Sequence, residues 1–117
     1  MSMIKDNAGI AKAFYTSMSE KNVVGLEQYL HDDIEFIAPL AKTYGKEAYI
    51  ENAKKFMGFF SSLAIRTVCD SNHEATVVYD LNFPESIGSV PTVALMNLND
   101  GLITRIELFY DARPFER

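Results

Sequence analysis

Tryptophan is absent from this 117-residue chain, cysteine occurs once and histidine twice. The lone Cys69 cannot form an internal disulfide and has no partners for a cysteine-based metal cluster. His31 and His73 lack the H-x-x-x-H or H-E-x-x-H spacing that sets two imidazoles on one helix face, so no metal is expected. Glycine-rich phosphate loops are missing, which argues against a nucleotide, and no cofactor is expected. Ser-His-Asp and Cys-His nucleophile sets have no support either. No window approaches the ~18 consecutive apolar residues of a membrane span. Met1 to Asn7 carries neither the basic segment nor the apolar run of a signal peptide, so a cytoplasmic location without membrane contact is expected. Positive charge is the scarcer sign: 11 Lys and Arg against 16 Asp and Glu give 11 − 16 = −5. The nearest basic face, Lys42, Lys46, Lys54 and Lys55, is interrupted by Glu47 and Glu51. A nucleic-acid partner is therefore not expected.

What is present is a 48% hydrophobic composition, enough for one core and too short for two, with no linker-like stretch. One domain over residues 1–117 is expected. Asp6 or Asn7 can cap a first helix reaching Lys21, with Ile10, Phe14 and Met18 on one stripe. Val23 to Leu30 reads as a second short helix. His31-Asp32-Asp33 breaks that pattern, and Ile34 to Ala38 reads as a strand ended by Pro39. His31 is weighed as a carboxylate-held base against a capping residue, and capping is preferred. Gly45 is a turn point before a helix over Lys46 to Phe60.

From Leu63 onward the period changes to alternation. Strands are expected over 63–68, 73–83, 90–98 and 102–110, with His73 in a turn. Glu85 to Ser89 reads as a hairpin loop, and Asp100-Gly101 supplies the positive backbone angles of a tight reversal. Helices segregated from an antiparallel sheet make an α+β class.

In the last strand Thr104, Ile106, Leu108 and Tyr110 share one side, while Arg105, Glu107, Phe109 and Asp111 share the other. The second set is either an ordinary wet sheet surface with one exposed ring or the lining of a cavity. An Arg105–Glu107 ion pair is the plainest account of those two charges. In an apolar cavity, desolvation would raise the pKa of Glu107 or Asp111 toward acid–base duty. Tyr15, Tyr49, Tyr79 and Tyr110 are amphipathic rings able to reach a pocket with a hydroxyl.

Several strings occur in a meaningful order: Phe14-Tyr15, Glu20-Lys21-Asn22, Leu30 to Phe36, Gly45-Lys46-Glu47-Ala48, Asp100 to Ile103, Ile106 to Asp111 and Arg113-Pro114. In these the chain resembles the ketosteroid-isomerase-like and polyketide-cyclase-like (SnoaL-like) proteins of the nuclear transport factor two superfamily. The resemblance implies a cone-shaped roll: a strongly curved antiparallel sheet packed on about three N-terminal helices, enclosing an apolar pocket. It also implies a homodimer. The isomerase branch's catalytic residues are not matched, because Phe14, Ala38 and Ala94 stand at their positions; the dienolate route lacks its base and its oxyanion donors. The cyclase-like branch implies Asp111 or Glu107 as acid/base. An Asp-Arg-Asp set imitating the epoxide-hydrolase branch would use Arg105, Asp111 and Asp80.

The expected function is binding of a small apolar or aromatic molecule, with isomerase, cyclase or hydrolase chemistry needing no cofactor. Asp111 and Glu107 would transfer protons, Arg105 would orient a carboxylate or steady negative charge, and Tyr15 would donate a hydrogen bond. Phe14, Met18, Phe36, Met57, Phe60, Tyr79 and Phe109 would line the pocket. The alternatives are a non-catalytic carrier or sensor, and a homodimeric interaction module using a sheet face with Ile106 and Leu108.

Overall fold

In a computed structural model, which describes residues 6–84 and 87–115, the chain begins with a helix whose start is fixed by its own sequence. The Asp6 carboxylate accepts the Gly9 amide at 2.7 Å, satisfying a free N–H of the first turn of α1 (Asn7–Ser19). Ile10, Ala11, Phe14, Tyr15 and Met18 form its buried stripe. The helix stops short of Lys21, which takes a left-handed φ of 58°. From there its Nζ reaches the Phe60 carbonyl at 2.7 Å, tying the end of α1 to the segment after the third helix. Asn22 caps α2 (Val23–Glu27) through the Gly25 amide at 3.1 Å. A Cβ on Gly25 would lie 2.5 Å from Ser17 Oγ, so the close approach of α1 and α2 requires glycine there.

The strands follow as β1 (Leu30–Ala38), β2 (Ala41–Tyr44), β3 (Ser62–Ser71), β4 (Glu74–Asn82), β5 (Ser89–Asn99) and β6 (Leu102–Phe109). Between β2 and β3 lies α3 (Lys46–Met57), and a 3-10 turn spans Arg113–Phe115. Several boundaries differ from the sequence-based expectation: α2 and α3 end at Glu27 and Met57 rather than Leu30 and Phe60, and β3 runs on to Ser71. His31-Asp32-Asp33 belongs to β1, where the His31 ring accepts the Asp33 amide at 3.0 Å. Short β2, too brief for a clear alternation, pairs antiparallel with β1 across Pro39-Leu40. The Asp100-Gly101 reversal forms as expected, with φ of 52° and 80°. The expected 85–89 loop includes Glu85 and Ser86, which lie outside the described residues.

The expected cone-shaped, strongly curved antiparallel roll is not what forms. One six-stranded sheet runs in the order β2-β1-β6-β5-β4-β3 and stays open, neither strongly curved nor closed on itself. It is also mixed, because β1 pairs parallel with β6 while every other pairing is antiparallel. Side-chain alternation reports which face a residue takes but is blind to strand direction, so this long-range pairing left no local trace. The class remains α+β, with three α-helices among the described residues.

The helices cover one face of the sheet. Burial alternates along β4 and β5: Ala75, Val77, Tyr79 and Leu81 point inward, as do Val90, Thr92, Ala94, Met96 and Leu98. On β6 the inward residues include Ile103 and Ile106, three apart, because the β5–β6 register shifts between Asn97 and Leu98. Together with the inner stripes of α1 and α3 they make one apolar cluster.

Candidate functional site: an aromatic cavity with a phenol floor

The helical cover is incomplete. Between α3, the β1–β2 turn and the later strands lies a cavity of about 830 Å³, within the roughly 300–1,000 Å³ typical of small-molecule sites. Tyr15 and Met18 come from α1; Tyr49, Asn52, Ala53, Lys55 and Phe56 come from α3. Phe36 and Ala38 of β1 and Leu40-Ala41 close one side, and Tyr79, Leu81, Val90 and Leu108 form the sheet wall. Gly58, Phe59, Phe83, Ile87, Tyr110, Pro114 and Phe115 complete the lining.

Two aromatic groups divide this space. Tyr15 and Tyr79 stack with ring centres 4.7 Å apart, and Tyr49 meets Phe36 edge-on at 5.2 Å. All three tyrosines are buried. The other group gathers round Phe115, whose ring lies 5.1 Å from Phe83, 5.7 Å from Tyr110 and 6.4 Å from Phe59. Phe59 is 49% exposed, so this end of the cavity reaches solvent.

The floor's polar atoms are phenol hydroxyls. Burial pushes the Tyr15 and Tyr49 phenols well above their ordinary pKa, and Tyr79 rises for the same reason. The Tyr15 and Tyr79 hydroxyls are hydrogen-bonded to one another, which holds the Tyr15 proton more tightly and eases loss of the Tyr79 proton. These groups stay neutral near pH 7 and offer donated hydrogen bonds; they are not proton acceptors there. Tyr110 is also raised by burial, moderated by a hydrogen bond from the Leu40 amide.

The residues expected in the pocket divide into three sets. Tyr15, Met18, Phe36 and Tyr79 line it. Phe14, Met57 and Phe60 are buried but pack in the core around it. Phe109 is 48% exposed on the opposite face of the sheet, and Arg105 and Glu107 accompany it there. Arg105 bonds Glu107 at 3.1 Å and Glu35 at 3.3 Å, a part-exposed charge cluster across β1 and β6. Asp111 is exposed and grips Arg113, with 2.6 Å to its Nη2; the guanidinium beside it lowers its pKa to about 2. Asp80 faces outward too, 3.6 Å from Arg66. The polar face of the last strand is therefore the wet surface, and Leu108 and Tyr110 face the cavity. The alternative docking face built on Ile106 and Leu108 is corrected by the same observation, since Ile106 is fully buried. Lining residues that the sequence does not single out include Asn52 and Lys55, one helical turn apart on α3, the Leu40-Ala41 turn, Leu81, Phe83 and the Pro114-Phe115 end. The i, i+3 spacing of the first pair was a usable signal.

Among the described residues no group of three or more His, Cys, Asp or Glu is placed to hold a metal ion. Among the same described residues no helix is long and apolar enough to cross a membrane.

The family model for the SnoaL-like domain matches residues 11–106. No curated protein matches the chain. Among solved structures, an NTF2-like protein of unknown function from Cytophaga hutchinsonii is similar over the full length of both chains, with 19% identity and a TM-score of 0.87. TerC, crystallised with polyporic acid, is 18% identical over 92% of each chain with a TM-score of 0.77. A protein with a ketosteroid isomerase-like fold from Catenulispora acidiphila, in complex with trimethylamine, is 16% identical. It superposes with a TM-score of 0.74 over 87% of this chain and 85% of its own. At these identities the likeness is one of fold.

Proposed function

The chain belongs to the SnoaL-like domain family, and from that premise we propose that it binds a small apolar or aromatic molecule bearing a carbonyl-type acceptor. The observation that carries this reading is the phenol floor. Tyr15, Tyr49 and Tyr79 are buried phenols in the lining of a cavity whose walls are otherwise mostly apolar. A ketone, quinone or similar oxygen accepting from Tyr79, while Tyr79 accepts from Tyr15, completes a chain of hydrogen bonds that polarise one another. Apolar walls supply affinity and the phenols supply orientation.

Binding without chemical change is the reading we favour over acid–base turnover. The described lining offers hydrogen-bond donors from its phenols, while the carboxylates considered for proton transfer, Asp111 and Glu107, are outside that lining and engage Arg113 and Arg105. A carrier or sensor needs no base at the floor; an isomerase or cyclase does.

Calorimetric titration with 2-acetylnaphthalene tests this. Saturable binding is expected, with the compound recovered unchanged. Tyr79→Phe and Tyr15→Phe should each weaken binding by up to about tenfold, the value of one hydrogen bond. The carbonyl-free 2-ethylnaphthalene should not distinguish wild type from either variant. No saturable binding, or equal loss for both compounds, overturns the phenol-floor reading.

A second copy of the chain is the proposed protein partner. Across the outer sheet face Val78, Val93 and Phe109 stand in direct register, and Leu95 lies one pair further along. This apolar row beside the Glu35–Arg105–Glu107 cluster supports a self-complementary contact. Sedimentation giving a monomer at high concentration removes that part of the proposal.

A further inference from the structure

Lys55 is the one charged side chain lining the cavity among the described residues. That is notable in a chain of net charge −5. It shares the last turn of α3 with Lys54, and either ammonium offsets the partial negative charge of that helix end. The helix therefore does not explain why one of the two faces the cavity. Lys54 lies 3.7 Å from Glu51 on the exposed side. Lys55 makes no ion pair among the described residues, and it lines the cavity with Asn52 and Phe56. The residue as a whole is exposed, and a long stem over an apolar wall lets its ammonium reach water. Arg113, next to the lining residue Pro114, is committed to Asp111.

The cavity thus changes character along its length: neutral donors at the floor, hydrocarbon between, an ammonium and a carboxamide on α3. We infer that its ligand is an anion, an aromatic or alicyclic carboxylate whose ring system also carries a carbonyl oxygen. The carbonyl sits against the tyrosines, the rings fill the apolar middle, and the carboxylate meets Lys55 with Asn52 as a second donor. This rests on the binding reading above and adds the ligand's charge and direction.

The test compares 6-acetyl-2-naphthoate with neutral 2-acetylnaphthalene by calorimetry. Wild type should bind the acid about fivefold more tightly, the upper range for an ion pair at a wet rim. Lys55→Met should abolish that preference, and Lys55→Glu should invert it. Raising ionic strength to about 1 M, where the screening length is ~3 Å, should shrink the preference. Lys54→Met, which changes net charge equally, should retain it. Equal binding of acid and ketone by wild type, with the ketone still bound, overturns this inference and leaves the cavity reading standing. An equal loss in Lys54→Met assigns the effect to overall charge and also overturns it. If neither compound binds, both readings fall.

Discussion

Tyr79 and Asp80 are consecutive in β4, yet the sheet sends them to opposite fates. Tyr79 is 2% exposed, its hydroxyl held by another phenol, with an apolar wall around it. Asp80 meets water and shares an ion pair with Arg66. The same division holds on β6, where Leu108 faces the cavity while Glu107 bonds Arg105 outside. The inner face takes polar groups that are neutral, because an isolated charge there would be desolvated at a cost of several kcal/mol. Charges collect on the outer face, where water screens them and each pair contributes about 1 kcal/mol or less. Neutral donors on one side and paired charges on the other suit the inner face for binding and the outer for contact.

The comparison can be broken most severely at neighbouring residues. Ile106→Ala removes a fully buried side chain and should cost about 3 kcal/mol in urea unfolding. Glu107→Ala, one residue on, should cost about 1 kcal/mol or less. Similar losses at both positions would mean that the outer cluster is a stability element rather than a solvated surface.

A second test reads the two environments through the six tyrosines. The buried phenols have folded pKa values raised above the ordinary 10.0. Their neutral forms therefore favour folding at lower pH, and that contribution is lost as pH rises above 10 toward the raised values. In a spectrophotometric titration, Tyr15, Tyr49 and Tyr79 should ionise only as the chain unfolds. Six phenols titrating together near 10, with the fold intact, would contradict the buried floor.

The smallest effect concerns Asp111, whose folded pKa of about 2 lies below the ordinary 3.8. Its hold on Arg113 is complete above about pH 4 and fades as pH falls toward 2. Because the pair is exposed, the consequence should be local: Phe115 loosening from Phe83, seen in its ring proton shifts. Asp111→Asn should remove that acid response and leave cavity binding unchanged. A binding loss matching that of Tyr79→Phe would return Asp111 to the site.

The alternation of β4 and β6 made both faces recognisable in the sequence, but not which was inner. On β6 the Arg105, Glu107, Phe109 and Asp111 set contained one ring among charges, and only packing against α1 and α3 resolves such a mixture. Tyr15 and Tyr79 were recognisable as amphipathic rings, 64 positions apart, yet nothing local says that their hydroxyls meet. Lys55 read as part of an interrupted basic run, because its role depends on the wall behind it.

Capping at Asp6, the stripe of α1, the turn at Asp100-Gly101 and the α+β class were determined by the sequence itself. Each depends on residues within a few positions of one another, where backbone sterics and side-chain period act directly. The parallel β1–β6 pairing, the open mixed sheet, the inward turn of Tyr110 and the phenol floor were decided by tertiary structure. They join segments far apart in the chain, and burial there is a property of what packs opposite, not of the residue alone.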